Sequence, residues 1–313
     1  MVNREIIRLK VLQLTYAFFQ NPNKDLSSAE RELFVSLSQS YNLYLYLLGI
    51  IPDLLKVGRH AFEIETLRAE REHLPAPSSK FIDNRFALQL ESNFTLQQFR
   101  ANESNTWILN EEFLKKLYSQ IINSEICSNY LNNPDDSYEA DREFWRKIYK
   151  TLLIENPDID AILEDKNIFW NDDKEVIDTF VMKTIRRFDE ANGDKQELLP
   201  NELAEEDREF ARLLFLNAVT KAEEYHTLMM NASKNWNFTR MAYMDIIIMQ
   251  LAIAEMLTFP NIPLNVTINV YVDLAKLYST SKSGKFVNGM LDKIARNLIE
   301  RKKMLKQMKE PIQ

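Results

Sequence analysis

Ser283-Gly284-Lys285-Phe286-Val287-Asn288-Gly289-Met290-Leu291-Asp292-Lys293 is the most informative stretch of this 313-residue chain. In and beyond it, apolar residues recur at helical spacing: Val287, Met290 or Leu291, Ile294 and Leu298. This spacing predicts an amphipathic helix with one buried face. Because glycine destabilises a helix interior by about 1 kcal/mol relative to alanine, Gly289 indicates a close approach of backbone there.

Glycine is scarce in this chain, which has only five, and two of them, Gly284 and Gly289, lie in this stretch. Average usage is about 7%. Parallel α/β folds need glycines at phosphate loops, and β-sandwiches and barrels need them at tight turns. With 45% hydrophobic residues, 18 Phe and 12 Tyr, the composition therefore predicts an all-α fold. The absence of a phosphate loop argues against a nucleotide-binding enzyme.

A single cysteine, Cys127, excludes an intrachain disulfide and a cysteine metal site, as is typical of a reducing compartment. The N-terminus lacks the apolar core of a signal peptide. The most apolar runs, 246–257 and 43–55, are too short or too interrupted to span a bilayer. We therefore expect a cytoplasmic protein without a membrane segment.

Helical periodicity recurs along the chain, with breaks at Pro52, at Pro75–Ser79 and near Leu199-Pro200-Asn201. In the segment that opens at Pro263, the spacing predicts a buried face that consists of Val266, Val270, Asp273 or Leu274, and Leu277. The helical patterns cover 4–19, 27–51, 54–72, 110–126, 138–153, 206–230, 239–258, 263–278 and 284–308.

Charge is distributed unevenly, although the formal net charge is only −7. Residues 132–210 contain 23 acidic against 11 basic residues, whereas residues 276–309 contain 10 basic against 2 acidic ones. Arg4, Arg8 and Lys10 add positive charge near the N-terminus. A basic segment on an acidic protein is typical of a local RNA-binding face, and a solvated terminal helix explains the charge equally well.

Two blocks of the chain resemble each other at a spacing of 66 residues. Asp141-Arg142-Glu143-Phe144 precedes Trp170 by the interval that separates Asp207-Arg208-Glu209-Phe210 from Trp236. The hypothesis is that the middle region repeats the first helices of the C-terminal bundle.

Histidine and glutamate occur twice at a spacing of three, as Glu70 with His73 and as Glu223 with His226. On helices this spacing places both side chains on one face, as in di-iron bundles. His73 comes directly before Leu74-Pro75, at a predicted helix end, and glutamates are abundant, so incidental matches are expected. A di-metal carboxylate enzyme is the least favoured function. The sequence predicts no enzyme, no metal and no cofactor.

The basic stretch offers groups that suit RNA. Ser283 is at a capping position, and free backbone N–H groups beside Lys282 and Lys285 suit a phosphate. Phe286 offers a ring for stacking and Asn288 an amide for base edges, the way single-stranded RNA is usually bound. In the alternative interpretation Phe286 lies in the core and Asn288 caps a helix.

Residues 239–294 resemble the transcription antitermination factor NusB family, and 207–236 resemble the helix that precedes this segment in the family. The N-terminal residues Arg4, Arg8, Gln13 and Tyr16 are similar to its basic first helix. The match rests on Asp245, Leu251–Glu255, Ile262-Pro263, Val266, Ile268, Asn269, Leu274–Lys276 and Lys285–Lys293.

The resemblance implies an all-α fold of two small helical subdomains without catalysis. Members of the family bind the boxA element of ribosomal RNA leaders together with NusE, a ribosomal small-subunit protein, and join an antitermination complex on RNA polymerase. By position, and with Lys282 added for its charge, the residues expected near RNA are Arg4, Arg8, Lys10, Lys282, Lys285, Phe286, Asn288 and Asp292. Tyr16 and Asp245 are expected to face the NusE-type partner.

The chain departs from the family pattern at Val270, where glutamate is usual, and at Ile246 and Gln250, where basic residues are frequent. The N-terminal basic cluster is also thinner than usual, which implies weaker or more partner-dependent RNA binding. The expected organisation is the first helix of the core at 1–24, an acidic helical insertion at 25–200, and the remaining core with a basic C-terminal helix at 201–313.

The resulting prediction is an RNA-binding transcription antitermination factor that acts on ribosomal RNA transcription. The first alternative is a helical protein-interaction scaffold without RNA binding. A second is the related helical domain fused to RNA cytosine methyltransferases, which would require a glycine-containing cofactor domain downstream. A homo-oligomer is compatible with the sequence.

Overall fold

The computed structural model describes residues 4–21, 23, 25–170, 172–201, 203–233, 241–280 and 282–300. Within these ranges the chain forms fifteen α-helices with short 3-10 and π segments and no strand, so the predicted all-α class is confirmed. The helices are α1 (Arg4–Gln20), α2 (Leu26–Leu48), α3 (Ile50–Glu72), α4 (Arg85–Ser92), α5 (Phe94–Arg100), α6 (Glu111–Ile122), α7 (Glu125–Leu131), α8 (Tyr138–Ile148), α9 (Pro157–Lys166), α10 (Lys174–Arg187), α11 (Glu205–Thr220), α12 (Ala222–Ala232), α13 (Tyr243–Thr258), α14 (Leu264–Tyr278) and α15 (Ser283–Glu300).

The chain divides into two compact units. Ser38–Asn201 forms the middle unit, and the described residues within 2–37 and 202–313 form the terminal unit. The later boundary coincides with the predicted break at Leu199-Pro200-Asn201. The earlier one lies inside α2, between Leu37 and Ser38, whereas the sequence places the start of the insertion at residue 25. The Pro75–Ser79 stretch connects α3 to α4 within the middle unit.

The break predicted at Pro52 occurs three residues earlier, at Gly49. Pro52 lies in the first turn of α3. The missing N–H of a proline leaves no intrahelical hydrogen bond unmade at that position, and its fixed φ fits the helix. The proline therefore starts a helix here instead of ending one.

Helix α13 is the centre of the terminal unit, where it packs against α1, α11, α12, α14 and α15. Every residue from Asp245 to Met256 is buried. A helix that is apolar on all sides is stable only when other helices surround it. This burial accounts for the apolar run at 246–257. Among the helices that the structure describes, none is long and apolar enough to cross a membrane.

Helix α15 buries the predicted face, whereas α14 buries a different face from the predicted one. Val287, Met290, Leu291, Ile294 and Leu298 are buried on α15. On α14, Val266 is 40% and Leu277 is 65% exposed. The prediction for α14 was wrong except at Leu274, and the buried residues of this helix are Leu264, Thr267, Ile268, Tyr271, Leu274 and Ala275.

The middle unit has an aromatic core of its own. The rings of Tyr46 and Trp107 stack with centroids 4.4 Å apart. Asp53, which is 1% exposed, accepts hydrogen bonds from Arg100 and from the backbone N–H of Trp107. Buried carboxylates require such partners. The acidic 132–200 region belongs to the same unit, and Phe144, Trp145 and Ile148 of its helix α8 are buried.

The suspected repeat agrees with the order of the helices. Corresponding helices begin 67, 65 and 69 residues apart, close to the sequence spacing of 66. Trp236 lies outside the described residues, and duplication stays a hypothesis. The compared helices are α8, α9 and α10, which begin at Tyr138, Pro157 and Lys174, and α11, α12 and α13, which begin at Glu205, Ala222 and Tyr243.

Candidate nucleic-acid interface

Ser283 anchors the start of α15. Its hydroxyl donates to Oδ2 of Asp245 at 3.0 Å and accepts from the backbone N–H of Thr280 at 3.1 Å. Ser283 is 1% and Asp245 is 5% exposed. The hydroxyl therefore links the first turns of α13 and α15. It does not serve as the helix cap that the sequence predicts, because Ser283 already lies inside the helix.

Gly284 allows the stem of Lys276 to cross the start of α15. A Cβ atom at Gly284 would lie 2.7 Å from Cγ of Lys276, closer than real Cβ contacts. The Lys276 ammonium pairs with Asp273 at 2.7 Å, but both side chains are more than 60% exposed. Such surface pairs are weak, so the ammonium remains available to an anion. Lys276 was not among the predicted site residues, although its signal lay in the Leu274-Ala275-Lys276 motif.

Around this point the structure brings together several of the predicted residues. Lys282 precedes α15, and Lys285 and Asn288 are exposed on its first turns. Phe286 is half-buried, which is intermediate between the two predicted alternatives. The first N–H groups of an α-helix have no intrahelical partner and carry partial positive charge. The start of α15 thus combines a helix N-terminus, lysines and an aromatic ring.

The outward face of α15 carries further basic residues beyond its first turns. Lys293 and Arg296 are exposed, and Arg296 pairs with the half-buried Asp292 at 3.0 Å. Gly289 is exposed too, and a Cβ atom there would meet no described atom within 4 Å. The close approach expected at Gly289 therefore occurs at Gly284 within this chain.

Arg8 lies inside the terminal unit with 5% exposure. Its Nε and Nη2 atoms donate to the two carboxylate oxygens of Glu255 at 2.7 and 2.9 Å. Thr267 and Tyr271 also donate to Glu255, at 2.8 and 3.1 Å. Burial lowers the pKa of Arg8, but the hydrogen bonds and charge of Glu255 outweigh it and raise the pKa overall. Arg8 is a charged structural residue.

The N-terminal cluster is consequently smaller than predicted. Lys10 is fully buried, and α1 buries every residue from Ile6 to Leu12. The expectation that Arg8 and Lys10 present their charges to RNA is corrected, because α1 is buried on all sides over this stretch. Arg4 remains on the surface, where it pairs with Asp207 at 3.3 Å and lies over the ring of Phe210.

The two residues expected at the protein partner differ in exposure. Tyr16 is 36% exposed and forms an edge-to-face pair with Tyr243, which is 39% exposed, at a centroid distance of 5.7 Å. Asp245 is buried against Ser283, so its expected surface role is corrected. Sequence reasoning missed Tyr243, whose position at the first turn of an apolar helix gave no signal.

The two glutamate–histidine pairs do not assemble a metal site. Glu70 and His73 are exposed, and His73 ends α3 with a left-handed backbone (φ 55°). His226 lies within hydrogen-bond distance of the buried Gln250, with 3.0 Å between Nε2 and Oε1. The part of the chain that the structure describes contains no group of three or more His, Cys, Asp or Glu residues that could hold a metal ion.

Comparison with known proteins places the sequence of this chain in a family. The model of the NusB family matches residues 172–296. A transcription antitermination protein NusB of Dictyoglomus thermophilum is 38% identical over 112 residues, which cover 36% of this chain and 78% of that protein. The NusB of Desulforapulum autotrophicum is 42% identical over 120 residues, which cover 36% and 84% of the two chains. This chain belongs to the NusB family.

The NusB match is confined to part of the chain. For the NusB of Heliobacterium modesticaldum, 43% identity extends over 91 residues, and this chain spans only 44% of that relative's length. The family match contains Lys276, Lys282, Lys285 and Asn288, and it includes α10 of the middle unit. The relatives are named as transcription antitermination proteins and not as enzymes. No solved structure matches the chain.

Proposed function

We propose that this NusB-family protein is a cytoplasmic RNA-binding antitermination factor that acts on ribosomal RNA transcription. It binds boxA-type RNA together with a NusE-type ribosomal small-subunit protein as part of an antitermination complex on RNA polymerase. The observation that carries the proposal is the exposed cationic group of Lys276, Lys282 and Lys285 beside Phe286 at the start of α15. This group lies within the NusB match.

The arrangement supplies both parts of single-strand recognition. Lysine ammonium groups and the N-terminus of α15 attract phosphates, which supply most of the salt-dependent affinity. The half-buried ring of Phe286 offers an edge or face for a base, and the amide of Asn288 offers hydrogen bonds to a base edge. Asp292, on the outward face of α15, and Arg4, on α1, are retained as proposed RNA contacts, and each is held by an ion pair.

For the protein partner, we propose the pair formed by Tyr16 and Tyr243. Both side chains are more than a third exposed. Tyrosines are enriched at protein interfaces because each combines a large apolar ring with a polar hydroxyl. The edge-to-face contact fixes both rings, so little side-chain entropy remains to be lost on binding.

The test is a titration of a single-stranded boxA-type RNA at several salt concentrations, followed by fluorescence anisotropy. Lys285→Glu is expected to weaken binding at least tenfold and Lys285→Ala less, with a shallower dependence of log K on log salt. Lys150→Ala is the matched control, since Lys150 is exposed in the middle unit. Unchanged affinity and slope for Lys285→Glu would overturn the proposal.

A protein-interaction scaffold without RNA binding is the second candidate. The burial of Arg8 and Lys10 favours it, because it removes two of the charges expected at RNA. Gel-shift experiments with boxA-type RNA, with and without the NusE-type protein, separate the two candidates. The scaffold predicts binding of the protein partner, sensitive to Tyr16→Ala, and no RNA shift under either condition.

A further inference from the structure

Gly289 lies in the middle of α15 without a structural reason inside the described chain. Gly193 is the glycine that the structure records with a positive φ, so Gly289 has an ordinary helical backbone that any residue adopts. It is exposed, and a Cβ atom would meet no described atom within 4 Å. Alanine would stabilise the helix at this position. Neither backbone conformation nor packing against the described residues therefore requires a glycine at position 289.

The residues one turn before and one turn after Gly289 are both exposed lysines, Lys285 and Lys293. Residues four apart lie on the same helix face, so Gly289 sits between the two lysines in a single row. The row from Lys285 to Lys293 is about 12 Å long, at 1.5 Å per residue. The shortest path between phosphates bound at these two lysines runs over Gly289.

We infer that Gly289 is a close-contact position at which the sugar–phosphate backbone of bound RNA crosses α15 between Lys285 and Lys293. The inference rests on the proposed function, and it adds Gly289 to the proposed RNA contacts and a course for the RNA strand over α15. Without a Cβ atom, the strand approaches the helix backbone closely, and both lysines reach phosphates. Asp292, the carboxylate beside this row, is paired with Arg296 at 3.0 Å, which reduces its repulsion of a phosphate.

The surroundings of Gly289 favour a nucleic acid over a protein. The neighbouring exposed residues on α15 are Lys285, Asn288, Lys293 and Arg296. The centres of protein interfaces are depleted in lysine and enriched in aromatic residues. Among the described residues, Tyr16 and Tyr243 form an exposed aromatic pair, on α1 and α13 instead of α15.

The experiment compares Gly289→Ala and Gly289→Leu in the full-length protein, by titration of single-stranded boxA-type RNA at several salt concentrations. Affinity is expected to fall about threefold for alanine and at least tenfold for leucine, since the larger side chain displaces the strand further. The slope of log K against log salt should not change, because no charge is removed. Lys293→Ala should lower both the affinity and the slope. The unfolding temperature of Gly289→Ala should not fall.

The outcomes separate this inference from the proposed function. If Lys285→Ala and Lys293→Ala weaken RNA binding while both Gly289 variants bind like the wild type, the contact at Gly289 is overturned and the function stands. If Gly289→Leu retains RNA affinity but loses the NusE-type protein, this face binds protein and the inference is wrong. If the wild type binds no RNA, alone or with that protein, both proposals fail.

Discussion

Arg8 and Glu255 form a bidentate ion pair inside the terminal unit, with 2.7 Å between Nε and Oε2. Their side chains are 6% and 0% exposed. Hydroxyls of Thr267 and Tyr271 complete the environment of the carboxylate. The pair therefore connects α1, from the start of the chain, to α13 and α14, more than 240 residues later.

Arg8→Ala is expected to lower the free energy of unfolding by about 3–5 kcal/mol, because it leaves the Glu255 carboxylate buried without its counter-charge. Arg8→Lys should be intermediate, since lysine restores the charge but not the two-pronged geometry. The measurement is denaturant unfolding of the full-length variants, followed by circular dichroism.

Arg4→Ala provides the matched control one turn earlier on α1. Arg4 pairs with Asp207 at 3.3 Å, and its side chain is 43% exposed. Exposed pairs of this kind contribute about 0–1 kcal/mol. Equal losses for Arg4→Ala and Arg8→Ala would contradict the structural role of Arg8.

The environment of Glu255 also explains why the sequence predicted the wrong face of α14. Two apolar stripes on this helix have helical spacing, one through Val266 and Val270 and one through Leu264, Ile268 and Ala275. Hydropathy alone does not distinguish the two stripes, but Thr267 and Tyr271 lie on the side that is buried and donate to the Glu255 carboxylate. A polar anchor of this kind depends on a contact between distant segments, which periodicity alone does not reveal.

At the candidate site, too, the sequence predicted local properties but not contacts between distant segments. The all-α class, the buried face of α15 and the exposed Lys285 followed from spacing and charge, which are local properties. Arg8 and Lys10 have the charge of surface residues, and only the packing of α1 shows that they are buried. The stretch 283–293 contains two glycines, and the sequence does not show which of them is in close contact. Only the path of the Lys276 side chain shows that it is Gly284.

The contact between Ser283 and Asp245 is expected to hold α15 in place. Ser283→Ala removes the donor that lies 3.0 Å from Oδ2 of Asp245 and should lower the free energy of unfolding by about 1–3 kcal/mol, because the buried carboxylate loses a hydrogen bond. Asn265→Ala, at an exposed residue of α14, is the control and should have little effect.

A double-mutant cycle with Ser283→Ala and Asp245→Ala checks that the two residues act as a pair. Groups in direct contact show coupling energies of about 0.5–3 kcal/mol, whereas independent sites are additive. Additive losses would mean that the hydrogen bond contributes nothing. The same variants, assayed where they remain folded, should bind the NusE-type protein normally, because Asp245 is not on the surface.

The reactivity of the Cys127 thiol is a probe of whether the middle unit is folded. The thiol is fully buried, and burial raises its pKa from 9.0 to about 11. The thiolate is the reactive form. Native protein at pH 8 should therefore not react with a thiol reagent, and protein in denaturant should react fully. The measurement is the labelling rate against denaturant concentration. Rapid labelling of the native protein would contradict the burial of this side chain.

The same shift makes stability depend on pH in the alkaline range. Below pH 9 both states keep the Cys127 proton, so its contribution to stability is constant. Between pH 9 and about 11 the unfolded chain releases the proton first, and stability falls by roughly 2–3 kcal/mol in total. Cys127→Ala should remove this part of the decline. Burial, and in smaller part the Cys127 charge, raises the pKa values of Tyr118 and Tyr130, so the contribution of that charge to these two tyrosines is removed with the thiol. Parallel pH profiles of the two proteins would show that the thiol is not the cause.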